Sequence, residues 1–179
     1  MGKQTIFIGT TANDGTGDAL RTAFDKANDN FDELYGVTGF ISRFDASTIP
    51  VYGSTLNIMS ITGTPEQNGG LALMDSNSWL TPLSLNDIII LDFAGTFITP
   101  AGSNHYVTVS LYVPTGGNYR SQTIPLIKGS GNDDEFSVSW TLPVGTTFLA
   151  SGGYVVLDAD VDLSVKNRYI QVTRIHKGQ

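Results

Sequence analysis

From Ser54 onward the chain is written in period two. In HYVTVSLYV (105–113), Val107, Val109, Leu111 and Val113 point one way, and Tyr106, Thr108, Ser110 and Tyr112 the other. EFSVSWTL (135–142) alternates likewise, with Phe136, Val138, Trp140 and Leu142 inward. GGYVVLDADVDLSV (152–165) places Val155, Leu157, Ala159, Val161, Leu163 and Val165 on one face. Such alternation is that of strands with one buried face. DIIILDFAGTFI (87–98) is nearly continuous apolar sequence, which predicts a central strand covered on both sides. STLNIMSIT and GLALM are short candidate strands before it, and RYIQVTRI (168–175) closes the series. Turn clusters separate them: TPAGSN, PTGGN, KGSGNDD, PVGTT and ASGG. Short strands at this spacing, with no alternating helices, predict a mainly β protein whose residues 54–179 form a jelly-roll-like antiparallel β-sandwich knob.

One segment breaks the pattern. NDGTGDALRTAFDKANDNFDELY (13–35) opens on a glycine-punctuated turn and continues as an amphipathic helix from about Ala19 to Tyr35. Asp18 occupies the expected N-cap, where its carboxylate suits the positive end of the helix dipole. Gly15 and Gly17 permit the tight backbone before it, and Gly36 is the expected C′ residue. Leu20, Phe24, Ala27, Phe31 and Leu34 follow at spacings of 4, 3, 4 and 3, a heptad seam. A helix this short is marginal in water by itself. Its stripe requires a cover: two further copies, the β domain, or a foreign dock. QTIFIGT (4–10) reads as a short strand with no partner of its own, suited to docking on another subunit or a larger assembly. Residues 36–53, punctuated by Gly36, Gly39, Pro50 and Gly53, read as a linker.

Composition narrows the partners. The formal charge is −7 and the ten Lys and Arg are scattered among seventeen acids. Nucleic-acid affinity rests on a basic stripe, so this balance points away from nucleic acid and from anionic membranes. No apolar run approaches the ~20 residues that span a bilayer. The opening MGKQTIFIGT is too short in its apolar part for a signal peptide and lacks the Ser or Thr of a myristoylation site, so a soluble chain is expected. There are no cysteines, which excludes disulfides and thiolate metal sites.

No catalytic residue emerges. His105 and His176 fit no zinc spacing, and no nucleophile elbow, P-loop or dinucleotide fingerprint is present. Asp158, Asp160 and Asp162 alternate, but alternate residues on a straight strand lie nearly 7 Å apart, too far for all three to hold one Ca²⁺. A solvated strand face accounts for them, and a turn tip accounts for GNDDEF (131–136). No metal or cofactor is expected. Tyr106, Tyr112 and Tyr119 suit either a subunit interface or sugar stacking, the latter together with loops 100–104, 114–122 and 129–135. Trp79 and Trp140 are expected in the core.

The opening motif resembles an N-terminal segment that recurs in virion proteins of tailed bacteriophages, in neck, baseplate and fibre components. The matching residues are Asn13, Asp14, Gly15, Thr16, Gly17, Asp18, Leu20, Arg21, Ala23, Phe24, Lys26, Asn28, Asn30, Phe31, Glu33, Leu34 and Tyr35. The resemblance implies an attachment module ahead of a variable domain. The β part is similar, in pattern alone, to the knobs of trimeric fibres and head decorations, mostly homotrimers. The joint expectation is a non-enzymatic phage structural protein located in the virion, a short and intertwined homotrimeric appendage on tail, neck, baseplate or head. Residues 1–35 would contact other virion proteins, and Leu20, Phe24, Ala27, Phe31, Leu34 and Tyr35 would form the attachment and trimer seam. The alternatives are a host-glycan-binding receptor-recognition module and a capsid decoration or cement protein.

Overall fold

The computed structural model describes residues 4–11, 14–68, 71–100, 105–126 and 133–176, with the side chains of 32–37 outside the description. An extended arm (4–11) precedes helix α1 (Leu20–Val37). Ten strands and one short helix follow: β1 (Gly39–Asp45), β2 (Ile49–Val51), β3 (Leu56–Ile58), β4 (Glu66–Asn68), β5 (Ile88–Ile98), β6 (Tyr106–Val113), β7 (Gly117–Pro125), β8 (Asp133–Pro143), α2 (Thr146–Ser151), β9 (Tyr154–Ala159) and β10 (Leu163–His176).

They build two antiparallel sheets. The six-stranded sheet runs β4-β1-β10-β5-β8, with β2 also paired to β10, and the four-stranded sheet runs β3-β9-β6-β7. Inward residues of both sheets meet in a single core. Phe93, Leu91 and Val172 come from one sheet, Val109, Leu111 and Leu157 from the other, and all are fully buried. Phe136 stacks on Phe97 at 4.1 Å and tilts against Phe93 at 5.5 Å. Each such burial contributes about 1.5–3 kcal/mol before chain entropy opposes it. The alternation expected in 105–113 and 135–142 is observed, and the sandwich is the expected fold class.

Several expectations are corrected. The segment read as a linker supplies β1 and β2, and β1 lies between β4 and β10 within the six-stranded sheet. Pro50 is accommodated because β2 is a three-residue strand beside the start of β10. The run 152–165 is not one strand: it bends at 160–162 and changes sheet between β9 and β10. Two carboxylates hold that corner, Asp160 accepting from the Tyr106 amide (3.1 Å) and Asp162 from the Gly53 amide (2.7 Å). β10 then runs on through 168–175 with a bulge near Asn167, whose φ is 50°. The bulge turns Arg168 inward, where it is 2% exposed and binds Asp45 Oδ2 (2.9 Å), Ser47 Oγ (2.8 Å) and the Ser60 carbonyl (2.9 Å). The Ser47 hydroxyl and amide, aided by Arg168, keep the Asp45 carboxyl below its ordinary range.

β5 is central, but its apolar run is covered on one face only within the single chain. β4, β7 and α2 were not expected. β4 and β7 are edge strands made mostly of exposed polar residues, so they lack hydrophobic contrast, and α2 spans less than two turns. GLALM contributes an isolated bridge, Met74 to Leu80, in place of a strand.

Candidate functional site

The motif at 13–35 is a clasp. Asp14 organises the turn: its carboxylate accepts from the amides of Thr10 (2.7 Å), Thr11 (2.7 Å) and Thr16 (2.9 Å) and from the Thr10 and Thr16 hydroxyls (2.6 and 2.8 Å). The Thr10 hydroxyl first, then the Thr16 and Thr11 amides, hold the Asp14 carboxyl far below the usual carboxylate range. Asp18 is not the N-cap; Ala19, whose side chain cannot cap, stands there. Asp18 Oδ2 instead accepts from the Phe7 amide (2.9 Å) and pairs with Lys26 Nζ (2.7 Å), while the Asp18 amide donates to the Phe7 carbonyl (2.8 Å). Lys26, then the Phe7 amide, lowers the Asp18 carboxyl. Further along, the Asn30 carboxamide serves both backbone groups of Gln4: Gln4 N–H donates to Oδ1 and Nδ2 donates to the Gln4 carbonyl, each at 2.8 Å.

The arm therefore lies along α1, held at Gln4 and Phe7 by side chains of the motif. It is extended but is no strand, and it packs on its own helix. Gly17 is required by this approach, since a Cβ there would meet the Phe7 and Ile8 backbone at 3.0–3.1 Å. Gly36 is inside α1 rather than past its end; the helix runs to Val37 and passes through Thr38 directly into β1.

What the clasp leaves outside is apolar. Leu20 is 74% exposed, Phe24 60% and Ile8 89%, with Phe7 and Phe31 about half exposed and Ala27 half-buried. Leu34 and Tyr35 lie in the helix with their side chains outside the described residues. Leu20 and Phe24 are thus not folded under the sheets of their own chain. Arm and helix each leave apolar side chains exposed, Phe7 and Ile8 on the arm and Leu20 and Phe24 on the helix, and the arm's share was not recognised from sequence.

A second, half-buried face lies on the knob. Cross-strand partners on the outer side of the six-stranded sheet form the rows Phe44–Tyr169–Ala94–Ser137, Ser42–Gln171–Asp92–Ser139 and Phe40–Thr173–Ile90–Thr141. Asp92 stands in the middle row, which Glu66 extends as the partner of Ser42, and the neighbouring row Lys166–Thr96–Glu135 adds two more charges, while Phe44 is about half exposed.

The three tyrosines are not brought together. Tyr106 and Tyr112 stand at opposite ends of β6, roughly 20 Å apart at strand rise. Tyr119 packs on Phe148 (5.4 Å) and donates its hydroxyl to the Pro143 carbonyl (2.6 Å), so its ring has a packing role. Tyr112 neighbours Tyr154 (5.5 Å), and Tyr154 neighbours Trp79 (4.9 Å). Trp140 is half-buried against the core as expected, whereas Trp79 is 37% exposed. Residues 101–104 and 129–132, within loops proposed for the sugar, lie outside the described residues.

The aspartates of 158–162 take separate tasks. Asp158 is exposed on β9, Asp160 also meets His105 Nδ1 (3.2 Å), and Asp162 serves Gly53. Burial acts against charge on Asp160, but the Tyr106 amide and His105 outweigh it and lower its carboxyl. Among the described residues no three His, Asp or Glu side chains are grouped to hold a metal, and no helix is long and apolar enough to cross a membrane.

Residues 3–64 match a family described as "Bacteriophage T4 gp9/10-like protein, N-terminal". The match covers arm, helix and β1 to β3, so it ends inside the sandwich. A search of curated proteins returned no match. Among solved structures, PRD1 vertex protein P5 superposes with a TM-score of 0.50 at 13% identity, covering 78% of this chain and 73% of that one, a likeness of fold. Eiger TNF from S. frugiperda (TM-score 0.49, 4% identity, 79% and 94% covered) and murine APRIL (0.44, 10%, 72% and 98%) are also similar. The N-terminal third, arm, helix and first three strands, is thus similar to a bacteriophage protein family, and the residues from β1 onward form an antiparallel sandwich.

Proposed function

We propose that this chain is a non-enzymatic bacteriophage structural protein: a short homotrimeric appendage, held on the particle by its N-terminal arm and helix and displaying the β-sandwich knob. The observation that carries this reading is the clasp. The polar motif residues Asp14, Asp18, Lys26 and Asn30 bond within the module, leaving Ile8, Leu20 and Phe24 outward on an ordered scaffold. Side chains of this size gain about 1.5–3 kcal/mol each on full burial, so a surface holding several favours association with a partner. The similarity of residues 3–64 to a phage family supports the virion as the location.

Two features support three copies of the chain. The heptad spacing of Leu20, Phe24, Ala27 and Phe31 suits identical helices around one axis. The outer face of the six-stranded sheet, which carries Phe44, Tyr169 and Ile90 beside Asp92, Glu66 and Lys166, offers a broad mixed surface for a second copy, and symmetric knobs would hold the helices at high effective concentration. The resemblance of the segment to neck, baseplate and fibre proteins supports a place on tail, neck or baseplate, and a head fibre or decoration fits the same architecture. Electron microscopy of virions, with the chain labelled at its C-terminus, tests the attachment, and solution mass tests the trimer. A particle lacking the chain, or a monomeric mass at micromolar concentration, rejects the corresponding half.

A further inference from the structure

We propose that Trp79, Tyr154 and Tyr112 form a binding platform for a neutral saccharide, with the adjoining cleft receiving its hydroxyls. Trp79 is exposed on a loop built to hold it still. Asp75 Oδ1 accepts from the amides of Asn77 (2.8 Å) and Trp79 (2.9 Å), and the Asp75 amide donates to the Trp79 carbonyl (2.9 Å). Ser78 before it is buried in a left-handed conformation (φ 64°) and donates its hydroxyl to the Ile61 carbonyl. Non-glycine residues adopt that conformation rarely, and such strain gathers where a side chain must be aimed. Bridges from Leu80 to Met74 and Gly153 tie the loop to the four-stranded sheet. A large apolar ring is thus fixed in place while left open to solvent.

The rings continue from there. Trp79 and Tyr154 lie 4.9 Å apart, Tyr154 and Tyr112 5.5 Å, the two tyrosines being direct partners across β9 and β6. Beside Trp79 opens a cleft of about 270 Å³ whose lining mixes Asp75, Thr81 and Ser151 with the apolar Leu80, Pro82 and Leu149. Thr81 Oγ1 donates to the Ala72 carbonyl (2.6 Å) and Ser151 Oγ bonds Thr115 Oγ1 (2.6 Å), so both hydroxyls are oriented yet keep acceptor capacity. The lining holds no Lys or Arg, which disfavours phosphate, sulfate and acidic sugars. A pyranose matches both parts: its C–H face lies on an aromatic ring, and its equatorial hydroxyls reach neutral donors and acceptors.

This inference does not depend on how the chain attaches to a particle. Full-length protein is titrated with neutral hexaoses, namely α- and β-glucan, galactan, mannan and chitin oligomers, with binding read by saturation-transfer NMR. At least one should bind saturably. Trp79→Ala should weaken it by about tenfold or more, as loss of an aromatic stacking surface does. Trp79→Phe should restore part of the affinity, and Tyr106→Ala, at the far end of β6, should leave it unchanged. Absence of saturable binding across the panel at millimolar sugar overturns the proposal. So does unaltered binding in both Trp79→Ala and Tyr112→Ala, or a changed assembly mass in Trp79→Phe, which would make the ring a subunit contact.

Discussion

The two ends of this chain solve the folding problem in opposite ways. The knob is held by apolar burial between two sheets, with polar groups at its corners. The arm and helix are held by polar bonds, with apolar groups on the outside. In the knob, Phe93 and Leu157 are hidden and Asp158 is wet; in the N-terminal module, Phe24 is wet while Lys26 and Asn30 are partly covered. Exposed and part-buried hydrogen bonds contribute modestly in water, so the module should be the less stable of the two and open on its own. An inside-out element of this sort is what the proposed attachment role requires.

Breaking each region in turn tests that contrast, and the largest effect falls on assembly. Phe24→Asp with Phe31→Asp should abolish incorporation into particles while the knob's melting temperature stays within a few degrees; wild-type incorporation would remove the anchor role. Deleting residues 1–38 should give the same loss and leave a folded sandwich by circular dichroism, because β1 begins at Gly39. An insoluble truncation would make the helix part of the knob.

Within the knob, Phe93→Ala should cost about 3–5 kcal/mol in chemical denaturation, the usual range for emptying a large aromatic site in a core. Asp45→Ala should cost about 3 kcal/mol, because it strands the buried Arg168 guanidinium without its carboxylate. A cost below about 1 kcal/mol would show that Ser47 and Ser60 satisfy Arg168 without it. In the module, Asn30→Ala should release the arm at a local cost of about 1 kcal/mol, seen as faster exchange of the Gln4 amide with global melting unaltered. Coupled loss of both would show that arm and knob unfold together.

Acid gives the smallest and most selective effect. Asp14 and Asp18 have folded-state values below the ordinary 3.8, so their contribution is present above that value and is lost as pH falls through the lowered ones. Arm protection should be level from pH 8 to 5 and decline only below about pH 4, ahead of the sandwich. A decline near neutral pH would mean that some other group holds the arm.

Much of this was legible without coordinates, and the pattern of what was missed is itself physical. The strand character of 105–113 and 135–142, the helix and its stripe are all written in local periodicity, a property of consecutive residues. The linker reading of 36–53 failed because β1 acquires its structure from β10, more than a hundred residues away in sequence. The strand reading of 152–165 failed because nothing local marks the bend at 160–162; it is held by Tyr106 and Gly53. Among the candidate site residues, Leu20, Phe24, Ala27 and Phe31 were visible as a stripe, whereas Tyr106, Tyr112 and Tyr119 were grouped by residue type, and type does not fix distance.

The sequence by itself determined the class of each segment, strand or helix, because side-chain period and turn chemistry are local. Only the tertiary structure decided that Asp18, Lys26 and Asn30 bind the arm, that Trp79 stands beside Tyr154, and that Leu20 and Phe24 are left uncovered by their own sheets. Those outcomes depend on which distant surfaces meet, and contact between distant surfaces is set by long-range packing that no short window of residues encodes.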